Sequence, residues 1–507
     1  MKQHWNYSMQ DIRILCFKLY NSTTIRLILL SFIVYNANLR SITSFDTNPT
    51  RYLPISLIKN FSLNLDEFTF LHRYPDWWIE KYQKEDNSKF QTRLPSYLQF
   101  ARGHYMSSYP IMPAILSVPI YVIPVVLGLT NGSISIRSYN QTEIVGTMLS
   151  KISSSAAVAI SVGIVYLALL RLTSRKNAFW LSLIYAFATS SWSISSQGLW
   201  QSAMSQPTLA FGFYYLIRAK ESERNVIYAS IPLSLSVACR PPNIIFALIL
   251  LIYVIHKHTP QLKYFLIFPL MVASLLLAYN IYYFGNPIGG YKRAVNKWGP
   301  NLTYSERKTF DDTSIATESS AETFYETYTT LRVFHRLKLE RLLGLLFSPS
   351  RGLLIYSPFL VFSFVAMGLA FYKPRDVLMI YISVAIILSL LLFSAWPGGW
   401  FGAFNYGYRL LVDLVPGLIL LLALIFSWII SKRTLKFLFI SMVSFSVFIQ
   451  IIGTFFYPCE WYQTPVPAAS YQERFWDWKD PEFLRCLKAG PVEPEGLSLI
   501  EKYLMNN

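Results

Sequence analysis

Charge is what this sequence has little of. Asp, Glu, Lys and Arg make up 14% of its 507 residues, where a soluble domain carries about a quarter. That shortage excludes an ordinary soluble globule and points to a polytopic membrane protein. Acid is the scarcer sign, 28 residues against 45 Lys and Arg, for a formal charge of +17. The excess base is no sign of nucleic acid. Much of it sits in short loops between apolar runs, where membrane topology requires it, and no nucleic-acid-binding motif accompanies it. Cysteine is scarce as well, four residues in all, too few for a disulfide framework. Cys16 belongs to the cytoplasmic leader and Cys239 ends an apolar segment. Cys459 and Cys486 share the C-terminal tail. In an exoplasmic tail they can pair, a bridge worth about 3 kcal/mol; the alternative is two free thiols. The first apolar segment lacks an A-x-A-like cleavage site and reads as a retained anchor, not a signal peptide.

Apolar residues are what the chain has in abundance, 53% of it, with 16% aromatic. A membrane-crossing helix needs about 20 such residues, and the sequence offers about eleven candidate segments. They are Thr24 to Tyr35, Ile144 to Leu170, Ala178 to Ser196, Gln206 to Ile217, Val226 to Cys239 and Ile244 to Ile255. Tyr264 to Phe284, Tyr356 to Phe371, Val377 to Phe393, Leu410 to Ile430 and Leu438 to Phe456 complete the set. Basic clusters lead the first segment and follow every second one, as at Arg171, Arg175 and Lys176 or at Lys432, Arg433 and Lys436. All of them then fall in the cytoplasm. The pattern holds only if Ile111 to Leu129, with Pro110 just before it and Pro113, Pro119 and Pro124 within it, lies at the outer face and does not cross. The expected fold is an all-α polytopic membrane protein with a cytoplasmic N-terminus. Residues 1–284 form a membrane module whose first outer loop, 38–143, bears juxtamembrane helices. A second outer loop (285–341), further membrane helices (342–456) and an exoplasmic tail (457–507) follow.

Against that topology, the informative residues are charges on the outer side. Asp46, in NLRSITSFDTNPTRYLP, is the first acid to emerge after the first segment. Arg240 in CRPPN, Arg351 in SPSRGLLIYSP and Arg409 in NYGYRLLVDLVP lie at the same face. Charges at a bilayer are costly and read as functional by default, and a guanidinium fork suits phosphate. Together the three arginines point to an anionic headgroup such as a polyprenyl phosphate, and Asp46 to a base that takes a proton from an acceptor hydroxyl during inverting glycosyl transfer. Each has a plainer reading: Asp46 as a turn former, Arg240 as a helix cap, Arg351 as a snorkelling residue, and Arg409 neutralised by Asp413 at i+4. Asp66 and Glu67 in NLDEF are a secondary acidic pair, suited to a divalent cation or to capping a helix near Phe68. His104 lies in the same loop without the spacing of a metal site, Tyr109 stands in the Ser108-Tyr109-Pro110 run, and with Asp66 and Glu67 the two form the candidate secondary acidic or acceptor site. Trp396 and Trp400 are interfacial anchors or sugar-stacking rings.

Several stretches resemble the GT-C superfamily of integral-membrane glycosyltransferases, in particular bacterial members distantly related to protein O-mannosyltransferases and aminoarabinose transferases. They are SFDTNPTRYLP, NLDEF, GHYMSSYPIMPAILSVPIYVIP, SQGLWQS, RPP, LFSPSRGLLIYSP, GGWFGAFNYGYRLLVDLVP and FWDWKDPEFLR. The resemblance implies a multi-span fold with a large first outer loop, a polyprenyl-phosphate sugar as donor, and a glycan, lipid or protein as acceptor. It maps the family's acidic residue on Asp46 and implies a bacterial plasma membrane. The family's paired acidic motif is replaced here by Phe45, Asp46 and Thr47, which leaves dependence on a divalent cation open. Two rivals handle lipid-linked sugars as well. A polysaccharide polymerase or ligase would use Asp311, Asp312 and His335 of the second loop, and a transporter would show matching halves, which the sequence does not.

Overall fold

The computed structural model describes residues 22–72, 94–131, 135–136, 139–290, 339–373, 376–396, 399–402, 404–466, 468 and 471–494. Cys16 and the second-loop residues Asp311, Asp312 and His335 lie outside these. The first helix, α1 (Thr23–Asn36), delivers the chain to the loop holding Asp46, and α2 (Asn48–Asn60) follows at once. A two-stranded antiparallel hairpin, β1 (Leu98–Ala101) and β2 (His104–Ser107), turns through Arg102 and Gly103. Then comes α3 (Met112–Val126), an apolar helix with Pro119 and Pro124 inside it. A second short hairpin, β3 (Ser135–Ile136) and β4 (Tyr139–Asn140), precedes α4 (Gln141–Leu169).

The first loop is a small folded layer with its own core. Tyr52, Leu53, Phe68, Tyr97, Leu98, Tyr109 and Tyr121 bury one another there. The layer stands on α4, whose 29 residues extend about 43 Å at 1.5 Å per residue, more than a hydrocarbon core of about 30 Å requires. The surplus turns meet α2 and α3. Gly146, in those turns, permits the approach: a Cβ there would lie 2.9 Å from the Tyr52 ring.

Beyond α4 the chain forms α5 (Arg175–Phe187), α6 (Gln201–Arg218), α7 (Arg224–Cys239), α8 (Ile244–Lys257) and α9 (Leu262–Phe284). The third expected segment is not one helix. It breaks after α5 and re-forms as a π-helical turn, Ser191–Ser195. The run TSSWSISSQ accounts for the break, because its hydroxyls and Gln197 compete for backbone carbonyls. Thr189 Oγ1 donates to Tyr185 O, and Ser196 Oγ and Gln197 Nε2 both donate to Trp192 O. The C-terminal part comprises α10 (Leu339–Phe347), α11 (Leu353–Tyr356), α12 (Val361–Tyr372), α13 (Val377–Ser394), α14 (Val415–Ser431) and α15 (Arg433–Phe455). The short α16 (Glu482–Ala489) lies in the tail.

Helix α14 is the axis of the bundle core, packed by α5, α12 and α15, whereas α9 leaves Ile267, Leu270 and Leu275 exposed. Among the described residues, five helical stretches are long and apolar enough to cross a membrane: Gln141–Leu169, Thr259–Phe284, Val377–Ser394, Arg409–Ser431 and Arg433–Phe455. They mark an integral membrane protein. Shorter apolar helices cover Thr23–Asn36, Met112–Val126, Pro241–Lys257 and Pro358–Tyr372. By this measure the described residues do not reach the expected count of about eleven. In the tail, Cys459 and Cys486 are disulfide-bonded, and among the described residues Cys239 is a free, buried thiol.

Candidate active site where the first loop meets the bundle

Asp46 sits in a 3-10 turn, Phe45–Thr47, that runs directly into α2, where Pro49 presets the helical φ of the first turn. Polar contacts on both sides hold this stretch. Upstream, Asn38 Nδ2 donates to Gln197 Oε1 and to Thr454 O, and Arg40 donates to Thr454 O and Tyr457 O. Downstream, Thr50 Oγ1 donates to Leu199 O (2.8 Å), while Arg51 reaches Thr43 and Thr147. At the SQGLW turn the chain passes so close to Gly198 that a Cβ would fall 2.3 Å from Thr43 Cγ2. The loop is thus seated on α4, on the SQGLW turn and on the end of α15.

Two partners from distant parts of the chain meet the Asp46 carboxylate. Arg409 Nη2 donates to Oδ2 at 2.7 Å and the Tyr109 hydroxyl donates to Oδ1 at 2.8 Å, across 363 and 63 residues of sequence. The Asp46 and Arg409 side chains are each 18% exposed, so the pair is neither sealed in the core nor out in water. The Arg409 guanidinium lies over the Trp200 ring, 4.4 Å from its centroid, a favourable cation–π contact. Trp200 is fixed in turn by Nε1 donating to Ile42 O (3.2 Å). Arg409 Nη1 is buried and meets no acceptor among the described residues. A buried guanidinium N–H without an acceptor is costly, and an anionic oxygen is one ligand that relieves it; Arg351 Nη2 is left in the same condition among the described residues.

The other two arginines stand apart from this point, each held by a buried carboxylate. Arg240 Nη1 donates to Asp413 Oδ2 (2.9 Å) and Nη2 to Leu410 O (3.1 Å). Its guanidinium therefore does not cap α7. Nor does Asp413 neutralise Arg409, because both lie in the 3-10 turn Arg409–Leu414. At about three residues per turn, positions i and i+4 point in different directions. Arg351 is 1% exposed and donates to Glu482, to Ser350 O and to Phe401 O. Burial alone would lower its pKa, but Glu482 and Tyr356 reverse that and hold it above the ordinary value. Burial likewise pushes the phenol of neighbouring Tyr457 up.

Asp66 caps no helix. Its Oδ1 accepts from Tyr105 N (2.7 Å), and Oδ2 meets His104 Nδ1 at 2.6 Å. The pair pins the start of β2, at the opposite end of that strand from Tyr109, and Glu67 is exposed beside it. Trp400 is buried against Phe401, Phe475 and Trp476, so its faces are covered by the tail. Trp396 is half-buried beside Phe393. Among the described residues no group of three or more His, Cys, Asp or Glu is placed to hold a metal ion.

Two residues of this region escaped the sequence reading. Trp200 lay unremarked within the SQGLWQS stretch. Lys151, inside α4, is buried and donates to Tyr35 O (2.8 Å) and Gln197 Oε1 (2.6 Å). A lysine within an apolar segment was the available signal.

No protein-family model matches the chain, and no curated protein does. Three solved structures of the Archaeoglobus fulgidus oligosaccharyltransferase are similar to it. One, tethered to an acceptor peptide with the NVT sequon, is 11% identical, with 90% of this chain and 59% of that one covered at a TM-score of 0.44. A complex with Zn and sulfate is 10% identical, covering 90% and 57% at 0.45. The apo form is 12% identical, covering 91% and 60% at 0.42. The chain thus spans under two thirds of the length of those proteins. A likeness this distant says nothing of chemistry, which rests on the residues described above.

Proposed function

We propose that this chain is a membrane glycosyltransferase that moves a sugar from a polyprenyl-phosphate donor to an acceptor hydroxyl in a single inverting displacement. The observation that carries the reading is the Asp46 carboxylate held between Arg409 and Tyr109, with Arg409 Nη1 buried and unsatisfied beside it. Asp46 takes the proton of the acceptor hydroxyl as that oxygen bonds to the anomeric carbon. The bond from that carbon to the phosphate oxygen breaks, and its electron pair leaves with the polyprenyl phosphate. Arg409 bridges the two groups: one arm rests on the base, and the other stabilises the charge gathering on the departing phosphate. The Tyr109 hydroxyl, donating to Oδ1, stands where an acceptor hydroxyl would donate.

The reaction belongs at the outer face of a bacterial plasma membrane, with the N-terminus cytoplasmic and the tail outside. The Cys459–Cys486 bridge supports that side, because disulfides persist in oxidising compartments. The acceptor is a glycan, lipid or protein hydroxyl.

Purified full-length protein, incubated with a panel of polyprenyl-phosphate sugars and hydroxyl acceptors, tests the reading. Asp46→Asn is expected to lower turnover by about 10²–10⁴-fold and to leave donor binding in place. Turnover at the unsubstituted rate would remove Asp46 from the role of base.

A further inference from the structure

Three arginines at one face look interchangeable in sequence, and the structure separates them. Arg409 reaches Asp46, whereas Arg240 grips the turn on which Arg409 is mounted. We propose that Arg240 and Asp413 are positioning residues for Arg409, fixing its guanidinium on Trp200 with Nη1 turned toward the donor phosphate. The proposal rests on the reading of that site given above.

Arg409 opens the 3-10 turn Arg409–Leu414, and a 3-10 turn has poorer hydrogen-bond geometry than an α-helix and is weakly self-supporting. Side chains from outside hold it. Asp413, fully buried, accepts from Arg240 Nη1 (2.9 Å) and Asn243 Nδ2 (3.1 Å), and from Ser205 Oγ at 2.8 Å and 2.9 Å to its two oxygens. Arg240 Nη2 reaches back to Leu410 O (3.1 Å), the residue after Arg409. Gln206 Nε2 takes Val412 O (3.3 Å). The turn is therefore gripped at residues 410, 412 and 413.

The grip shares its frame with the site. Helix α6 begins at its N-cap Trp200, the ring beneath Arg409, and carries Ser205 and Gln206 a turn and a half further on. The distance between the ring and the brace is thus set within one helix. A buried ion pair is an unremarkable way to gain stability, since apolar residues of the same volume serve as well. A planar fork with two fixed arms, by contrast, sets the spacing between a carboxylate and a carbonyl. That is what a mount for Arg409 requires.

Binding of farnesyl phosphate, a short polyprenyl monophosphate, to the full-length protein in lipid nanodiscs tests the proposal. Arg409→Ala is expected to weaken binding at least about tenfold, as loss of a charged hydrogen-bond partner does. Arg240→Lys keeps the charge but cannot span both Asp413 and Leu410 O. It is expected to weaken binding by a factor on the order of ten, and Ser205→Ala by a smaller factor in the same direction. Because the brace acts through Arg409, Arg240→Lys should add nothing in the Arg409→Ala background. The fluorescence assigned to Trp200, taken as the difference from the same variant carrying Trp200→Phe, should move toward the Arg409→Ala value. Each variant's unfolding temperature is recorded alongside, and Ser205→Ala carries the test if Arg240→Lys does not fold. Folded Arg240→Lys binding like the unsubstituted protein overturns the proposal, and so does an equal loss in both backgrounds. Arg409→Ala binding normally would instead overturn the phosphate seat itself.

Discussion

At the scale of single residues, the site turns on one guanidinium serving two neighbours. Arg409 touches Asp46 with Nη2, while Nη1 meets no acceptor among the described residues. A lysine offers one point of charge without a planar fork, so Arg409→Lys is expected to raise the donor KM by roughly tenfold, at the lower end of what a lost charged hydrogen bond costs. Steady-state kinetics with a polyprenyl-phosphate sugar reads this directly. Asp46 was legible in sequence because a lone acid just past an apolar segment is conspicuous. Arg409 and Tyr109 stood among the candidates too, but their pairing with Asp46 was not legible, because contact across 363 and 63 residues leaves no local spacing to read. Arg240 and Arg351 show the same limit from the other side. Whether an outer arginine faces a ligand or a buried carboxylate depends on Asp413 and Glu482, which lie 173 and 131 residues away. Lys151 was legible in principle, as a lone cation within the apolar run Ile144 to Leu170.

At the scale of elements, the tail behaves as a cap fastened in three ways. The disulfide closes a separation of 27 residues, Arg351 pairs with Glu482, and Phe475 stacks on Phe401 (4.5 Å between centroids). Opening the disulfide with Cys459→Ser and Cys486→Ser together should lower stability by about 3 kcal/mol. Glu482→Gln should cost about 3–5 kcal/mol, because it strands the Arg351 charge in the core. Thermal unfolding of the two variants in one detergent ranks them, and a harmless Glu482→Gln would contradict the buried pair. Helix positions were legible from hydropathy over most of the chain. The break at residues 188–190 was not, since Trp192 and Ile194 keep the average apolar while Thr189 and Ser196 on either side of them donate to backbone carbonyls. Nor did hydropathy disclose that the first loop has a core of its own, built around aromatic residues spread from Tyr52 to Tyr121.

At the scale of the whole molecule, the folded first-loop layer stands on a helical bundle, and the candidate site lies where the two meet. The sidedness proposed above is open to a direct trial. Lys479 is exposed in the tail, and Lys479→Cys is expected to react with a membrane-impermeant maleimide in intact cells. Labelling only after permeabilisation would turn the whole arrangement over and place the site in the cytosol.

The Tyr109 hydroxyl resting on Asp46 has a bearing on waste as well. A base beside an activated sugar will serve water as readily as an alcohol, and an unguarded one would squander the donor between acceptors. In the proposed reaction, a phenol parked on Oδ1 would keep solvent from that oxygen until an alcohol displaced it. Tyr109→Phe should therefore liberate free sugar from the donor when no acceptor is supplied, a leak that chromatography of the released product would reveal.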